Sequence, residues 1–252
     1  MNKLSKDYFF ILISLSVLVA IAWGYLIAMD NEMNVFDKFY FFTMPMTGNW
    51  TINDFIVMGI MWLVMMFAMM MPSTFIFLFI FHSMRSNMAS VKNPKFELFL
   101  LSFTYFFIWA IFSFVVCFLQ YLLHNKGIIS MSGIFVNDLF AATTLIFAGL
   151  FQFTNIKDSC LEKCKNPLSF IMGKRIDTFS DIISVGFKHG IFCLGCCWAL
   201  MLILFVNGVM NLLWIVILTL AVLAEKIIPF GKLTSRFFGF LLVFWGAYLI
   251  IF

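Results

Sequence analysis

The sequence predicts an all-α, polytopic transmembrane bundle of about seven spans, and three observations carry that prediction. Hydrophobic residues make up 63 % of the 252-residue chain, charged residues only 11 %, and the mean hydropathy is +1.05; a water-soluble domain is closer to half apolar and a quarter charged. The apolar residues fall into runs of about 20, the length that crosses a bilayer as a helix. The basic residues fall between those runs, and the predicted topology puts fourteen of the sixteen Lys and Arg on one side. Basic loops stay cytoplasmic, so the N-terminus is expected inside and the C-terminus outside. Lipid offers no partner to an unpaired amide, so each span is expected to be helical.

The first run, 8–29, follows the basic start MNKLSK and lacks a small-residue cleavage site, so it reads as a retained anchor. Loop 30–54 is then external, with Asp30, Glu32, Asp37 and Asp54 against Lys38, and with Met33, Met44 and Met46. It could attract a cation or be an ordinary acidic loop. The second run, 55–81, carries Met58, Met61, Met65 and Met69 as one helical stripe and Met66 and Met70 as a second. Pro72 follows and removes a backbone donor mid-span. The third run, 97–123, holds the isolated Cys117, expected to pack. The fourth, 138–154, is short and contains Thr143, Thr144 and Gln152. Loop 155–183 is cytoplasmic and carries Cys160 and Cys164 one helical turn apart beside Lys157 and Lys163. Three more runs follow at 184–208, 211–227 and 236–252. Glu225 and Lys226 end the sixth, with Glu225 expected to face the bundle and Lys226 to reach for the interface. The net charge of +4 lies in these short loops, which excludes a nucleic-acid surface.

The fifth run concentrates the chemistry. His189, Cys193 and Cys197 recur every fourth residue, and Cys196 lies one turn from Cys193, so all share one side of a helix. Thiolate and imidazole suit Cu(I) and Zn(II), and thioether suits Cu(I) but not hard cations. The methionines of the second run enter the depth that these cysteines reach. Gly186 and Gly190, four residues apart, allow a neighbouring helix to approach closely. Buried cysteine and methionine also pack as ordinary apolar side chains, and that is the competing account of both stripes.

The segments MWLVMMFAMMMPS, QFTNIKDSCLEKCKNP and GFKHGIFCLGCCWALMLILFVNGVMNLLW with the following AEK resemble a domain-of-unknown-function family of predicted metal-binding integral membrane proteins, over about residues 55–230. The resemblance implies a polytopic helical membrane protein with a metal site and no established reaction. The positions that match its motifs are Met66, Met70, Pro72, Gln152, Lys157, Cys160, Cys164, His189, Cys193, Cys196, Cys197 and Glu225. The expected organisation is an anchor with an acidic loop (1–54), the metal-binding membrane unit (55–230) and a C-terminal helix (231–252).

The expected function is binding of a soft metal in copper handling or delivery. Copper is preferred over zinc because four side chains on one helix approach an ion from one side and cannot surround a tetrahedron. His189, Cys193, Cys196, Cys197, Met66, Met70, Cys160 and Cys164 are the candidate metal residues, with Gln152, Lys157 and Glu225 as further polar candidates. The expected partners are the lipid bilayer, the metal ion and possible partner membrane subunits. The alternatives are a membrane oxidoreductase or thiol–disulfide redox protein, and an accessory or assembly subunit of a membrane metalloenzyme complex.

Overall fold

The structure is a computed structural model that describes residues 3–32, 50–88, 91, 93–130, 132–166, 176 and 178–251. Met33, Met44 and Met46 of the loop expected to be external, with Asp37 and Lys38, lie outside the described residues. Helices follow one another as α1 (Lys3–Glu32), α2 (Ile52–Ser86), α3 (Pro94–Asn125), α4 (Asp138–Phe151), α5 (Asn155–Lys165), α6 (Phe179–Met201), the single turn α7 (Leu204–Asn207), α8 (Leu212–Ile227) and α9 (Gly231–Ile251). No strand occurs among the described residues.

Local chemistry fixes where the helices that build the site begin. Thr51 caps α2 in a reciprocal box with Asp54, and Thr178 caps α6 in the same way with Asp181. Pro94 opens α3 at a position where its missing N–H costs nothing. Thr154 caps α5 through the Lys157 amide. The α2 helix continues through Pro72, where the hydroxyls of Ser73 and Thr74 both donate to the Met70 carbonyl at 2.9 Å.

Every apolar run lies on a helix, but the expected seven crossings are not all met by length. Five helical stretches are long and apolar enough to cross a membrane, and a sixth exists if α4 and α5 count together. The 14 residues of α4 reach about 21 Å and the 16 of α8 about 24 Å, against about 30 Å of hydrocarbon. The chain bends by 63° between α4 and α5. Hydropathy counts each run as an independent crossing, whereas these short helices are supported by longer neighbours: α4 packs along α9, and α8 against α2.

At the centre of the fold α2 packs on α3, α3 on α6, and α6 on α5. Gly186 and Gly190 allow the α3–α6 approach, as the sequence suggests. A Cβ on Gly186 would stand 2.8 Å from the Leu101 carbonyl oxygen, and one on Gly190 2.9 Å from Ile108. This contact carries Tyr105 of α3 to the cysteine face of α6.

Candidate metal-binding site

The α6 helix buries Cys193, Cys196 and Cys197 almost completely, on the face that the spacing predicts. The Cys196 thiol donates to the Cys193 carbonyl at 3.1 Å and lies 3.3 Å from the Cys197 sulfur. The α5 helix supplies a fourth thiol. Cys164 is buried and within hydrogen-bonding reach of Cys193 and Cys196. One turn earlier, Cys160 is half-buried, and its sulfur stands 3.0 Å from where a Cβ on Gly195 would be. Gly195 is therefore what lets the two cysteine motifs meet. Cys117 is remote, its thiol directed to the Phe55 carbonyl at 3.7 Å.

Cys193 is the most heavily partnered of the thiols. Lys226 Nζ donates to its sulfur at 3.0 Å and to Ser73 Oγ at 2.8 Å. Tyr105 Oη lies 3.0 Å from the same sulfur and 2.8 Å from Thr74 Oγ1. Thr74 and Tyr105 thus link the Met70 carbonyl of α2 to the sulfur. An ammonium and a phenol converging on one sulfur is the environment that favours a thiolate.

Lys226 corrects one expectation. It does not reach for the interface but turns inward, and it is 8 % exposed. Its neighbour Glu225 faces the bundle as expected and binds Lys157 of α5 at 2.8 and 2.9 Å, with both side chains essentially inaccessible. A carboxylate therefore does stand near the depth of the thiols, already committed to an ammonium. Ser235 of α9 extends this network. Its hydroxyl donates to Gln152 Oε1 at 2.9 Å and lies within hydrogen-bonding reach of Glu225.

The other candidates are arranged less directly. His189 is buried one turn before Cys193, its ring stacked on Phe77 at 3.8 Å and 5° and 5.5 Å from the Tyr105 ring. Met66 and Met70 are fully buried in the same apolar cluster as Cys164, Cys193, Cys196 and Cys197. The α2 helix packs on α6 through Phe77 and His189, and it reaches Cys193 through Ser73 by way of Lys226 and through Thr74 by way of Tyr105. Among the described residues, no group of three or more His, Cys, Asp or Glu side chains is disposed as a ready chelate. The thiols engage one another, Tyr105 and Lys226 instead.

Sequence reasoning missed four members of this arrangement: Ser73, Thr74, Tyr105 and Lys226. Only Lys226 gave a signal, a charge at the end of an apolar run, and its position suggested the interface.

A family model, PpoB2, described as a copper chaperone, matches residues 59–249. The chain belongs to this copper chaperone family. No curated protein and no solved structure matches it. The copper description narrows the metal expected from the sequence resemblance. All candidate residues from Met66 to Glu225, and the four that the sequence did not reveal, fall inside the matched span.

The residues suit copper. Cu(I) is held by few soft ligands, and thiolates and thioethers are the soft groups that proteins offer. A tetrahedral zinc site wants four ligands closing around the ion, whereas three of these thiols come from one helix face. Cys164, arriving from α5, allows an ion to be held between two helices.

Proposed function

We propose that the protein is integral to the cell membrane, binds Cu(I) at the thiols of Cys164, Cys193, Cys196 and Cys197, and passes it to an acceptor protein. One observation carries the reading: two helices bring four buried thiols together beside a buried ammonium. The family description favours copper over a hard cation, as does the absence of an uncommitted carboxylate among the thiols within the described residues. The thioethers of Met66 and Met70, buried in the same apolar cluster, and the imidazole of His189, one turn before Cys193, are the further soft groups in this reading. The long apolar helices support membrane insertion, and the basic bias supports a cytoplasmic N-terminus.

Transfer follows from ligand exchange. A third thiolate adds to a two-coordinate Cu(I), and one of the first two leaves, with no change of oxidation state. Cys160, half-buried and one turn from Cys164, is the thiol placed to begin such an exchange with an outside partner. A partner membrane subunit is the natural acceptor for a chain with so little soluble surface.

The test is Cu(I) binding by the detergent-purified full chain against a competing chelator. About one Cu(I) is expected per chain. Cys193→Ser is expected to abolish tight binding and Cys117→Ser to leave it intact. Binding that survives replacement of Cys193, Cys196 and Cys197 together, or a preference for Zn(II), rejects the reading. The thiol proximity also favours a thiol–disulfide exchange role as a second reading. Trapping a Cys164–Cys193 or Cys164–Cys196 disulfide in a redox buffer, in a chain that binds no Cu(I), would select it.

A further inference from the structure

Lys226 is a full positive charge buried against the sulfur most central to the cluster, held by Cys193 on one side and by Ser73 on the other. Its carboxylate neighbour Glu225 is closed onto Lys157 through both oxygens. The group in contact with Lys226 that can carry a negative charge is the Cys193 sulfur, at 3.0 Å. Moving an uncompensated charge out of water is costly, so a buried site is most stable when its charges sum to zero.

We propose that Lys226 is a specificity-determining residue, a built-in counter-cation that sets the net charge of the site to accept a monovalent metal. This rests on the copper reading above. Two thiolates and one ammonium carry a net charge of −1. Adding Cu(I) brings the site to zero, whereas adding a divalent ion leaves +1 in an apolar interior. Without the ammonium the order inverts: two thiolates with Cu(I) carry −1, and with Zn(II) they are neutral. A third thiolate would restore neutrality for Zn(II) in the native chain, but it requires one more of the cluster's sulfurs to close around the ion. The lysine thus turns ligand number into metal selectivity. It holds no metal itself and acts through the field at Cys193. Thiolate sulfur has lone pairs enough to accept its hydrogen bond and bind a metal together.

Ser73 belongs to the same device. Its hydroxyl is the second acceptor for Nζ and fixes the ammonium from α2, so that the charge stays beside the sulfur.

The experiment compares wild type, Lys226→Met, Lys226→Arg and Ser73→Ala as detergent-purified full chains. Cu(I) and Zn(II) affinities are measured separately by chelator competition, with size-exclusion and thermal profiles as folding controls. Lys226→Met is expected to lower the Cu(I)-to-Zn(II) affinity ratio at least tenfold. Lys226→Arg, which keeps the charge, is expected to stay within about threefold of wild type. Ser73→Ala should fall between the two, and it serves as the folded variant if Lys226→Met does not purify. A ratio unchanged in Lys226→Met, or lowered as far by Lys226→Arg, overturns the proposal while leaving the copper reading in place. A wild-type chain that binds no Cu(I) overturns both.

Discussion

The two halves of the molecule end at different levels. On one side, α2, α3 and α6 run well past the thiols. Ser73 stands 13 residues before the end of α2, Tyr105 11 residues after the start of α3, and Cys193 14 residues after the start of α6. At 1.5 Å per residue these overhangs reach about 17–21 Å. They close on a core of their own, with Phe77, Phe81, Leu101 and Val185 among its buried members. Arg85 caps it with a paired bond to Glu97 and a bond to the Ile176 carbonyl. On the other side, α8 stops one residue after Lys226, and α5 is only 11 residues long. The thiols therefore lie beside an internal step, where short helices end against the middle of long ones. Charges that would mark a membrane interface in a bundle of equal helices stand here at the depth of the site.

Two buried ion pairs among the described residues measure that step. Arg85–Glu97 leaves 9 and 10 % of its side chains exposed, and Lys157–Glu225 leaves 0 and 1 %. Breaking a buried pair strands a charge, at a cost of about 3–5 kcal/mol. Glu225→Gln strands Lys157 between α5 and α8 and is expected to cost that full amount. Glu97→Gln should cost less, because Arg85 keeps the Ile176 carbonyl and some solvent. Replacing Lys157 with Met and Glu225 with Leu together should recover much of the Glu225→Gln loss. Thermal unfolding of the full chain in detergent reads all three. Equal losses at the two pairs would mean that the step does not isolate the inner one.

The same step separates what was legible in the sequence from what was not. The cysteine face of α6, the methionine face of α2 and the close approach at Gly186 were legible, because each follows from spacing on a single helix. The meeting of Cys164 with Cys193 was not, because it depends on the bend after α4 and on how α5 then lies along α6. Lys226 was misjudged for a related reason. A lysine at the end of an apolar run normally finds water, and here the neighbouring helices continue past it. The crossing count suffered likewise, since hydropathy measures α4 and α8 without the longer helices that support them.

Two glycine contacts of similar tightness then distinguish the halves. A Cβ at Gly186 would stand 2.8 Å from the Leu101 carbonyl oxygen, and one at Gly149 2.8 Å from the Gly239 carbonyl oxygen. Overpacking of this kind costs about 1–3 kcal/mol, partly offset by the roughly 1 kcal/mol that Ala gains over Gly in a helix. Gly186→Ala and Gly149→Ala should thus lose comparable stability. Only Gly186→Ala is expected to weaken Cu(I) binding as well, because it pushes α3, and with it Tyr105, away from Cys193. Cu(I) affinity lost equally in both variants would mean that α4 and α9 hold the site as directly as α3 does.

The smallest effect is expected at Ser235, where the short half turns its corner. The α4 helix ends at Phe151, so the Gln152 carbonyl has no helical partner beyond it. Ser235 Oγ lies 3.4 Å from that carbonyl and 2.9 Å from Gln152 Oε1. Ser235→Ala removes one neutral donor from a network whose charges stay paired through Lys157 and Glu225. A bond of this kind contributes about 1 kcal/mol, a shift of roughly 2–4 °C in a chain of this size. Cu(I) affinity should not change, because the hydroxyl lies behind the ion pair and not beside the thiols. A loss as large as that of Glu225→Gln would mean that Ser235, rather than Lys157, is what holds Glu225 at the corner. The ion pair would then follow from the fold of the corner, and α9 would take the place of α5 as the element that keeps α8 against the site.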